Sequence, residues 1–445
     1  MEESMRDLVD CGHHVAPRPG RDGSSVTTAV LARDGSETTR RAPSRVHFGG
    51  FEVLRAVAAL MVVIHHAGSY AGPARTGSLY DLTAVMDSGV AVFFVLSGFL
   101  IYRPFVAAQV EGRPAQRTAS FWWRRILRIV PAYWVALSFF WALGAFELGS
   151  DWWRYYLFLQ IYSPTTVLGG VVQAWSLCTE MTFYLVIPLW AMALAALVKR
   201  GRTPGQTAAL HLAGCALLWL GGTASRVAIE AWAPSKRGIA FDWLPTNLDL
   251  FATGMALAVL SVWAAHDDRL KARLDRLGAR VEPWWLAAFA LFLWYAYQVG
   301  PADFVTGYSG WFWHRRQISL AVFTLLLMFP AVFGPQDRTW VRTAWSWKPL
   351  VWLGTVSYGI YLWHFDWLKR SIASLGGLGQ PAWPGWVHTP PGDSSFWYLV
   401  VVGVGAGVLF AAVSWYLLEE PLQRFKDGLR LRRRPGALGT VGARQ

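Results

Sequence analysis

Cysteine and charged residues are both scarce in this chain of 445 residues, and their scarcity excludes several classes of protein. Cys11, Cys178 and Cys215 form no Cys-x-x-Cys pair, and two of them lie in apolar runs, so neither a disulfide framework nor a zinc site is predicted. Charged residues make up 16% of the chain against 54% hydrophobic residues, which excludes intrinsic disorder of the whole chain. Because no apolar run lies near the N-terminus, no cleavable signal peptide is expected.

The apolar residues are gathered in long, continuous runs. Each run has roughly 18–22 residues, close to the length of a helix that crosses the hydrocarbon core of a membrane. The runs lack the period of two that strands of a membrane β-barrel show. With 27 tryptophans and a mean hydropathy of +0.30, the chain is predicted to be an all-α, polytopic membrane helix bundle. About ten spans are predicted, at 50–70, 89–108, 126–146, 175–198, 207–225, 244–264, 283–300, 314–334, 350–370 and 396–418.

Lysine and arginine are concentrated in alternate connections between these spans. With the N-terminus in the cytoplasm, every connection after an even-numbered span is basic, as Lys199, Arg200 and Arg202 illustrate after the fourth span. The positive-inside rule and anionic lipid headgroups therefore account for the net charge of +13, and nucleic-acid binding is not expected. Both termini are predicted to be cytoplasmic, in a multi-pass protein of the cell membrane.

Three regions are predicted along the chain. Residues 1–46 are rich in arginine, glycine, serine and proline and are expected to form a flexible, basic cytoplasmic tail. Residues 47–422 form the transmembrane domain, and residues 423–445 form a second basic cytoplasmic tail. The segment 151–163 is too short to cross the membrane, so it is expected at the interface or as a re-entrant segment. No internal repeat is evident, so an inverted-repeat transporter has no direct support.

Two ionisable residues share one face of the first predicted span. Arg55 and His66 are 11 residues apart, so they lie on one stripe of a helix and about 16 Å apart along its axis. His65 is rotated by roughly 100° from His66 and is expected to point elsewhere. Polar residues of this kind sometimes only hold membrane helices together. A buried arginine and histidine on one stripe favour a functional role, because ionisable groups are costly inside a membrane.

Six motifs occur in order along the chain. They are LRAVAALMVVIHHAG at 54–68, GVAVFFVLSGFLI at 89–101, RILRIVPAY at 125–133, WSLCTEMTFYL at 175–185, SYGIYLWH at 357–364 and LEEPL at 418–422. Together they resemble the motifs of the membrane-bound acyltransferase-3 family. Ala91 departs from that pattern, because the family commonly has an aspartate there. Many relatives carry a fused extracytoplasmic hydrolase-like domain, for which the 24 residues after Pro421 leave no room.

The resemblance implies that His66 is the catalytic histidine. Transfer of an acyl group to a hydroxyl requires a base near that hydroxyl, and a neutral imidazole suits this role. A histidine in this position can act as the general base or as a transient carrier of the acyl group, and the sequence leaves both roles open. Arg55 is expected either to stabilise negative charge on the donor or to hold the helix face. At about 16 Å it cannot touch His66, so a neighbouring helix or the donor must connect the two.

Arg125 and Arg128 lie one helical turn apart at the predicted cytoplasmic end of the third span. This spacing suits a clamp on phosphate groups, and the resemblance implies that acyl-CoA is the donor. With Arg124, the pair can equally be a basic patch that obeys the positive-inside rule. Acyl-CoA, with acetyl-CoA as the default, is expected as a co-substrate, and neither a permanently bound cofactor nor a metal is expected.

Six further residues are predicted to support the site: Glu52, Ser97, Gly98, Glu180, His364 and Glu419. A carboxylate at Glu180 or Glu419 can orient a histidine or pair with an arginine, and Glu419 can equally cap a helix or mark topology. Ser97 and Gly98 are expected to permit close approach of helices or backbone access to a ligand, with Ser97 a less favoured nucleophile. His364 is expected to line the acceptor side.

The predicted function is membrane-bound O-acylation. The resemblance implies transfer from acyl-CoA to a hydroxyl of a cell-surface carbohydrate, a lipid-linked glycan or a macrolide-type small molecule, on the extracytoplasmic side or at the membrane. The alternative is a transporter or channel for an acylated or anionic solute, which would use the buried arginine and histidine as a substrate path. Transfer of labelled acetyl groups in purified membranes separates the two functions.

Overall fold

The computed structural model of the protein describes residues 48–71, 78–114, 116–198, 202–298, 309–335, 340–371 and 393–427. Throughout these ranges the regular elements are helices, and no strand occurs among them, which confirms the predicted all-α class. The predicted tail 1–46 lies outside the described residues, as does the predicted C-terminal tail beyond residue 427. All described residues belong to one compact unit, Phe48–Gln445.

Seventeen α-helices follow one another in the described residues, joined by short 3-10 turns. The first nine are α1 (Gly50–Tyr70), α2 (Ser78–Ala84), α3 (Ser88–Val110), α4 (Thr118–Ala142), α5 (Trp152–Tyr156), α6 (Trp175–Leu197), α7 (Pro204–Trp232), α8 (Arg237–Ala240) and α9 (Leu244–Ala264). The others are α10 (Asp268–Leu277), α11 (Glu282–Gln298), α12 (Gly310–Val332), α13 (Trp340–Ala344), α14 (Lys348–Thr355), α15 (Ser357–Arg370), α16 (Asp393–Ser414) and α17 (Glu420–Gln423). A π-helical turn, Trp415–Glu419, joins the last two.

Seven helices of the described residues are long and apolar enough to cross a membrane. They are Gly50–Tyr70, Leu79–Val110, Val172–Leu197, Pro204–Trp232, Leu244–Ala264, Gly310–Val332 and Phe396–Lys426, and each coincides with a predicted span. The other three predicted spans correspond to α4, which carries three arginines in its first half, to α11, which has 17 residues, and to α14 with α15, which are interrupted at Val356. The count of ten and the orientation of the termini stay predictions.

Small residues bring the backbones of α3 and α9 into direct contact. A Cβ atom added to Gly98 would lie 2.2 Å from the carbonyl oxygen of Phe251, and one added to Gly254 would lie 1.9 Å from that of Val95. Real Cβ atoms do not come so close to a backbone oxygen, so only glycine fits at either position. Such close crossings are typical of membrane helix bundles. They fix α3, which carries Ser97, against a helix in the interior of the bundle.

The segment that follows α4 is too short to cross a membrane, as its length predicted. It consists of the five-residue helix α5 and 3-10 turns on either side of it. The hydroxyl of Tyr133 in α4 donates a hydrogen bond to the carbonyl of Tyr155 over 3.0 Å, and the indole of Trp243 donates to the carbonyl of Ile161 over 2.9 Å. These contacts hold the segment against α4 and the connection before α9, beside the start of α6.

Candidate active site

His66 and His364 meet between α1 and α15. The Nδ1 atom of His66 lies 2.8 Å from the Nε2 atom of His364, and the two rings stack with centroids 5.0 Å apart. Phe365 packs against the same imidazole, with its ring centroid 4.4 Å from that of His66. His364 is completely buried, so α15 presents its side chain to α1 in the interior of the protein. The two histidines, 298 positions apart in the chain, thus form one hydrogen-bonded pair.

Hydrogen bonding fixes which ring nitrogens carry protons when both imidazoles are neutral. The Nδ1 atom of His364 lies 3.0 Å from the carbonyl oxygen of Ile360, which can only accept, so this nitrogen must be the donor. The Nε2 atom of His364 then holds a lone pair and accepts from Nδ1 of His66. The remaining nitrogen, Nε2 of His66, therefore carries a lone pair. A histidine in this tautomer is ready to accept a proton or to attack a carbonyl.

His65 makes a different contact from its neighbour. Its Nδ1 atom lies 3.2 Å from the carbonyl oxygen of Thr83 in α2, so the two adjacent rings point to different elements, as their rotation about the helix axis predicted. Both residues nevertheless border the same cavity. The expectation that His65 faces away from the site is therefore only partly met, because α2 folds back over this end of α1.

A cavity of about 400 Å³ lies beside His66. This volume is in the range of small-molecule sites. Its polar wall includes side chains from several elements: Tyr80, Asp87, Gln173, Asp242 and Tyr361. Trp175 adds an aromatic ring at the start of α6. Sequence reasoning missed Asp87, Gln173 and Asp242, which lie in connections before α3, α6 and α9, and only the fold brings them to His66.

Two carboxylates of this wall share one arginine. Asp87 accepts a hydrogen bond from Arg316 of α12 over 2.7 Å, and the guanidinium also stacks on the ring of Phe241 at 4.6 Å. Asp242 lies in the connection between α8 and α9, outside the candidate spans. Burial raises the pKa of Asp242 to about 8, although the positive charge of Arg316 opposes the shift. At neutral pH the wall therefore combines one ion-paired carboxylate with one that is largely protonated.

A second polar cluster surrounds Arg55, nearer the beginning of α1. Arg55 interacts electrostatically with Glu52, Glu180 and Arg128. The carboxylate of Glu180 accepts hydrogen bonds from the hydroxyls of Ser97 and Tyr184, in α3 and α6. The structure thus gathers residues predicted separately from four motifs around one buried arginine, which we call the arginine cluster.

The RILR motif borders this cluster. The Arg125 guanidinium lies over the rings of Phe121 and Tyr184, at 5.7 and 5.6 Å, and also interacts electrostatically with Arg128. Arg124 instead donates a hydrogen bond to the hydroxyl of Ser120 over 3.0 Å. Arg125 and Arg128 therefore face the cluster together, whereas Arg124 makes its contact one turn back along α4.

Glu180 connects the two ends of the site. It interacts electrostatically with Arg55 and also with Tyr361, which borders the cavity one helical turn before His364. The gap of about 16 Å between Arg55 and His66 is thus bridged by α6 and α15. The sequence left this connection to a neighbouring helix or to the donor, and which of them acts stays a prediction.

The remaining predicted residues lie around the arginine cluster. Glu52, three residues before Arg55, carries a buried carboxylate oxygen, and its backbone carbonyl lies against Gly354 of α14. Glu419 is buried in the π-helical turn, accepts a hydrogen bond from the hydroxyl of Ser414 over 2.9 Å and interacts electrostatically with Arg128. Within the described ranges, no group of three or more histidines, cysteines or carboxylates is arranged to hold a metal ion.

Known proteins are similar in sequence to this chain over most of its length. The profile of a family described as "Acyltransferase domain" matches residues 48–418. A peptidoglycan O-acetyltransferase of Listeria monocytogenes is 25% identical over 404 residues, which cover 86% of this chain and 56% of that protein. Nodulation protein 10 of Rhizobium leguminosarum is 24% identical over 433 residues, which cover 88% of this chain and 98% of that protein. The chain spans about half the length of several curated relatives that it matches, since the matched segment covers 54–58% of each of them. No solved structure matches the chain.

Proposed function

This chain belongs to the acyltransferase domain family, and from that premise we propose that it transfers an acyl group, acetyl by default, from acyl-CoA to a hydroxyl. The observation that carries the proposal is the hydrogen-bonded chain from Ile360 through His364 to His66. It leaves a lone pair on Nε2 of His66, in a residue that borders a cavity large enough for part of a small acceptor.

In the proposed reaction, His66 acts as the general base. Its Nε2 atom takes the proton from the acceptor hydroxyl while the hydroxyl oxygen attacks the thioester carbonyl carbon. The tetrahedral intermediate then collapses, the carbon–sulfur bond breaks, and the proton passes from Nε2 to the departing thiolate to give free CoA. The hydrogen bond from Nδ1 of His66 to His364 holds the ring while it is charged.

We place the donor at the arginine cluster. Acyl-CoA carries several phosphates, and arginine is the side chain best suited to bind them through paired hydrogen bonds. Arg125 and Arg128 would bind the phosphates, and Arg55 would stabilise negative charge farther along the donor. The long flexible arm of CoA would carry the thioester from there towards His66, past Glu180, which interacts electrostatically with both Arg55 and Tyr361.

We propose a carbohydrate as the acceptor. The relative from Listeria monocytogenes is named for the O-acetylation of peptidoglycan, and the cavity wall is rich in polar side chains that can exchange hydrogen bonds with hydroxyls. A cell-surface or lipid-linked glycan fits these observations better than a macrolide-type molecule, whose largely apolar ring would offer those side chains few hydrogen bonds. The transporter alternative gains no specific support.

The proposal is tested by acetyl transfer with the protein purified in detergent. Acetyl-CoA labelled in the acetyl group is supplied with an extract of cell-envelope glycans, and the label that enters the glycan fraction is counted. We expect incorporation that requires both the protein and an intact thioester. Movement of labelled solute across vesicles that contain the protein, without any incorporation, would favour the transporter.

A further inference from the structure

Gln173 is a completely enclosed amide on the wall of the cavity. Its side chain is 1% exposed, and it lies in the 3-10 turn Val172–Ala174 that leads into α6. Its side-chain amide nitrogen donates a hydrogen bond to the backbone carbonyl oxygen of Leu362 over 2.8 Å. The backbone carbonyl oxygen of Gln173 accepts a hydrogen bond from the hydroxyl of Tyr361 over 2.7 Å. Both partners are in α15, so the helix that carries His364 also holds Gln173 in place.

These contacts fix the orientation of the amide group. A backbone carbonyl can only accept a hydrogen bond, so the nitrogen of Gln173 must face Leu362 and the oxygen must point away from it. That oxygen, Oε1, is buried and has no hydrogen-bond partner in the protein. A buried acceptor without a partner is costly, and a bound ligand is one group that can satisfy it. Gln173 borders the cavity, so a ligand there can reach this oxygen.

The neighbouring polar groups indicate the chemistry of that ligand. Asp87 and Asp242 border the same cavity. Asp87 is a carboxylate paired with Arg316, Asp242 is largely protonated at neutral pH, and the oxygen of Gln173 adds an acceptor. The ring of Trp175, two residues after Gln173, provides a flat apolar surface beside them. A set of polar groups next to an aromatic ring fits a molecule with several hydroxyls and one apolar face, which describes a sugar ring.

We infer that Gln173 is an acceptor-positioning residue: its amide oxygen, with Asp87 and Asp242, binds the hydroxyls of a sugar ring and brings one hydroxyl to His66. This inference rests on the proposed function and specifies the chemistry of the acceptor. In this arrangement α15 orients the base through His364 and the acceptor through Gln173.

The test compares Gln173→Met with Gln173→Glu and with a matched control, Gln160→Met. Methionine keeps the length of the side chain but removes the amide oxygen, whereas a protonated glutamate keeps the oxygen acceptor and an O–H that can donate to Leu362. Gln160 is also buried, at 2% exposure, and its Oε1 atom also lacks a partner, but it does not border the cavity. It therefore reproduces the general cost of changing a buried glutamine.

The measurement is acetyl transfer from saturating labelled acetyl-CoA to the tetramer of N-acetylglucosamine at graded concentrations. We expect Gln173→Met to raise the KM for the tetramer about tenfold or more, with Gln173→Glu closer to the wild type. The KM for acetyl-CoA should stay unchanged in both variants, and Gln160→Met should keep both KM values. An unchanged tetramer KM in Gln173→Met, or equal increases in the Met and Glu variants, overturns the inference.

Two further results separate this inference from the proposed function. A wild-type protein that hydrolyses acetyl-CoA in a His66-dependent manner, but does not use the tetramer, contradicts the sugar-binding cavity alone. A wild-type protein that does not turn over acetyl-CoA at all contradicts the proposed function, and it also contradicts the inference, which rests on that function.

Discussion

The Nδ1 atom of His66 lies 2.8 Å from the Nε2 atom of His364, and this contact sets the chemistry of the whole site. Because Nδ1 of His364 is committed to the carbonyl of Ile360, the neutral pair can be arranged in only one way. His364 therefore does for His66 what a carboxylate does for the histidine of a hydrolase triad: it selects the tautomer and holds the ring.

Replacing His364 should slow the chemical step with little effect on substrate binding. In His364→Phe the imidazole of His66 loses its acceptor and its fixed tautomer, so we expect kcat to fall by about ten- to a hundredfold, with KM for both substrates nearly unchanged. His364→Gln provides an amide oxygen that can accept from His66 and should recover part of the rate. Steady-state kinetics on the three proteins check this. Equal losses in the Phe and Gln variants would show that His364 only packs the core.

Removing either arginine of the RILR motif should weaken donor binding. Arg125→Ala and Arg128→Ala each remove a charge-assisted contact worth about 1.5–3 kcal/mol, so the affinity for acetyl-CoA should fall roughly ten- to a hundredfold. Arg124→Ala is the matched control, because the Arg124 guanidinium bonds to Ser120. Binding of acetyl-CoA to the detergent-purified variants is the measurement. A loss of similar size in the Arg124 variant would mean that these arginines only set the orientation of the chain in the membrane and do not bind the donor specifically.

Stability should decrease with rising pH because of Asp242. Burial raises the pKa of Asp242 to about 8, with Arg316 opposing the shift, whereas an aspartate in an unfolded chain titrates near about 4. Between these values the folded protein holds a proton that the unfolded chain has released, so the free energy of unfolding falls as the pH rises. Asp242→Asn removes this contribution. Thermal unfolding in detergent between about pH 5 and 8 should show a smaller fall in Tm for the variant than for the wild type, and parallel curves would refute the assignment.

The contact between α3 and α9 should not tolerate a side chain at Gly98. In Gly98→Ala the new methyl group would overlap the carbonyl oxygen of Phe251, so the helices must separate, at a cost of about 1–3 kcal/mol. Gly405→Ala is the control, because a Cβ atom there has no neighbour within 4 Å and alanine favours the helix. Thermal unfolding of both variants should show a lower Tm only for Gly98→Ala. Equal Tm values would mean that the helices are not in contact at this point.

Periodicity and apolar length predicted much of the fold, because both act locally along the chain. The first span, 50–70, and the sixth, 244–264, coincide with α1 and α9. The ninth predicted span is two helices, α14 and α15, because the helix is interrupted at Val356. Only Gly354, Thr355 and Ser357 mark this point in the sequence, and no proline does.

The cavity could not be predicted in the same way. Asp87, Gln173 and Asp242 lie in short connections outside the six motifs, and a single polar residue in a connection is ordinarily exposed to solvent. Only the three-dimensional arrangement of the helices brings these connections to the cavity beside His66. The sequence placed His364 on the acceptor side, whereas in the structure it pairs with His66 and is absent from the lining of the cavity, because a histidine in an aromatic run shows nothing of its partner. Long-range contacts of this kind depend on the three-dimensional arrangement, which residue spacing does not contain.

The proposed acyl transfer depends most directly on His66. The decisive measurement is the rate of acetyl transfer by His66→Ala and His65→Ala, purified side by side and matched for amount and thermal stability. If His66 is the base, its replacement should lower kcat by about a hundred- to ten thousandfold, whereas His65→Ala should lose at most about tenfold, because the bond from His65 goes to Thr83. Equal losses in the two variants, or near-wild-type transfer by His66→Ala, would contradict the assignment of the catalytic histidine.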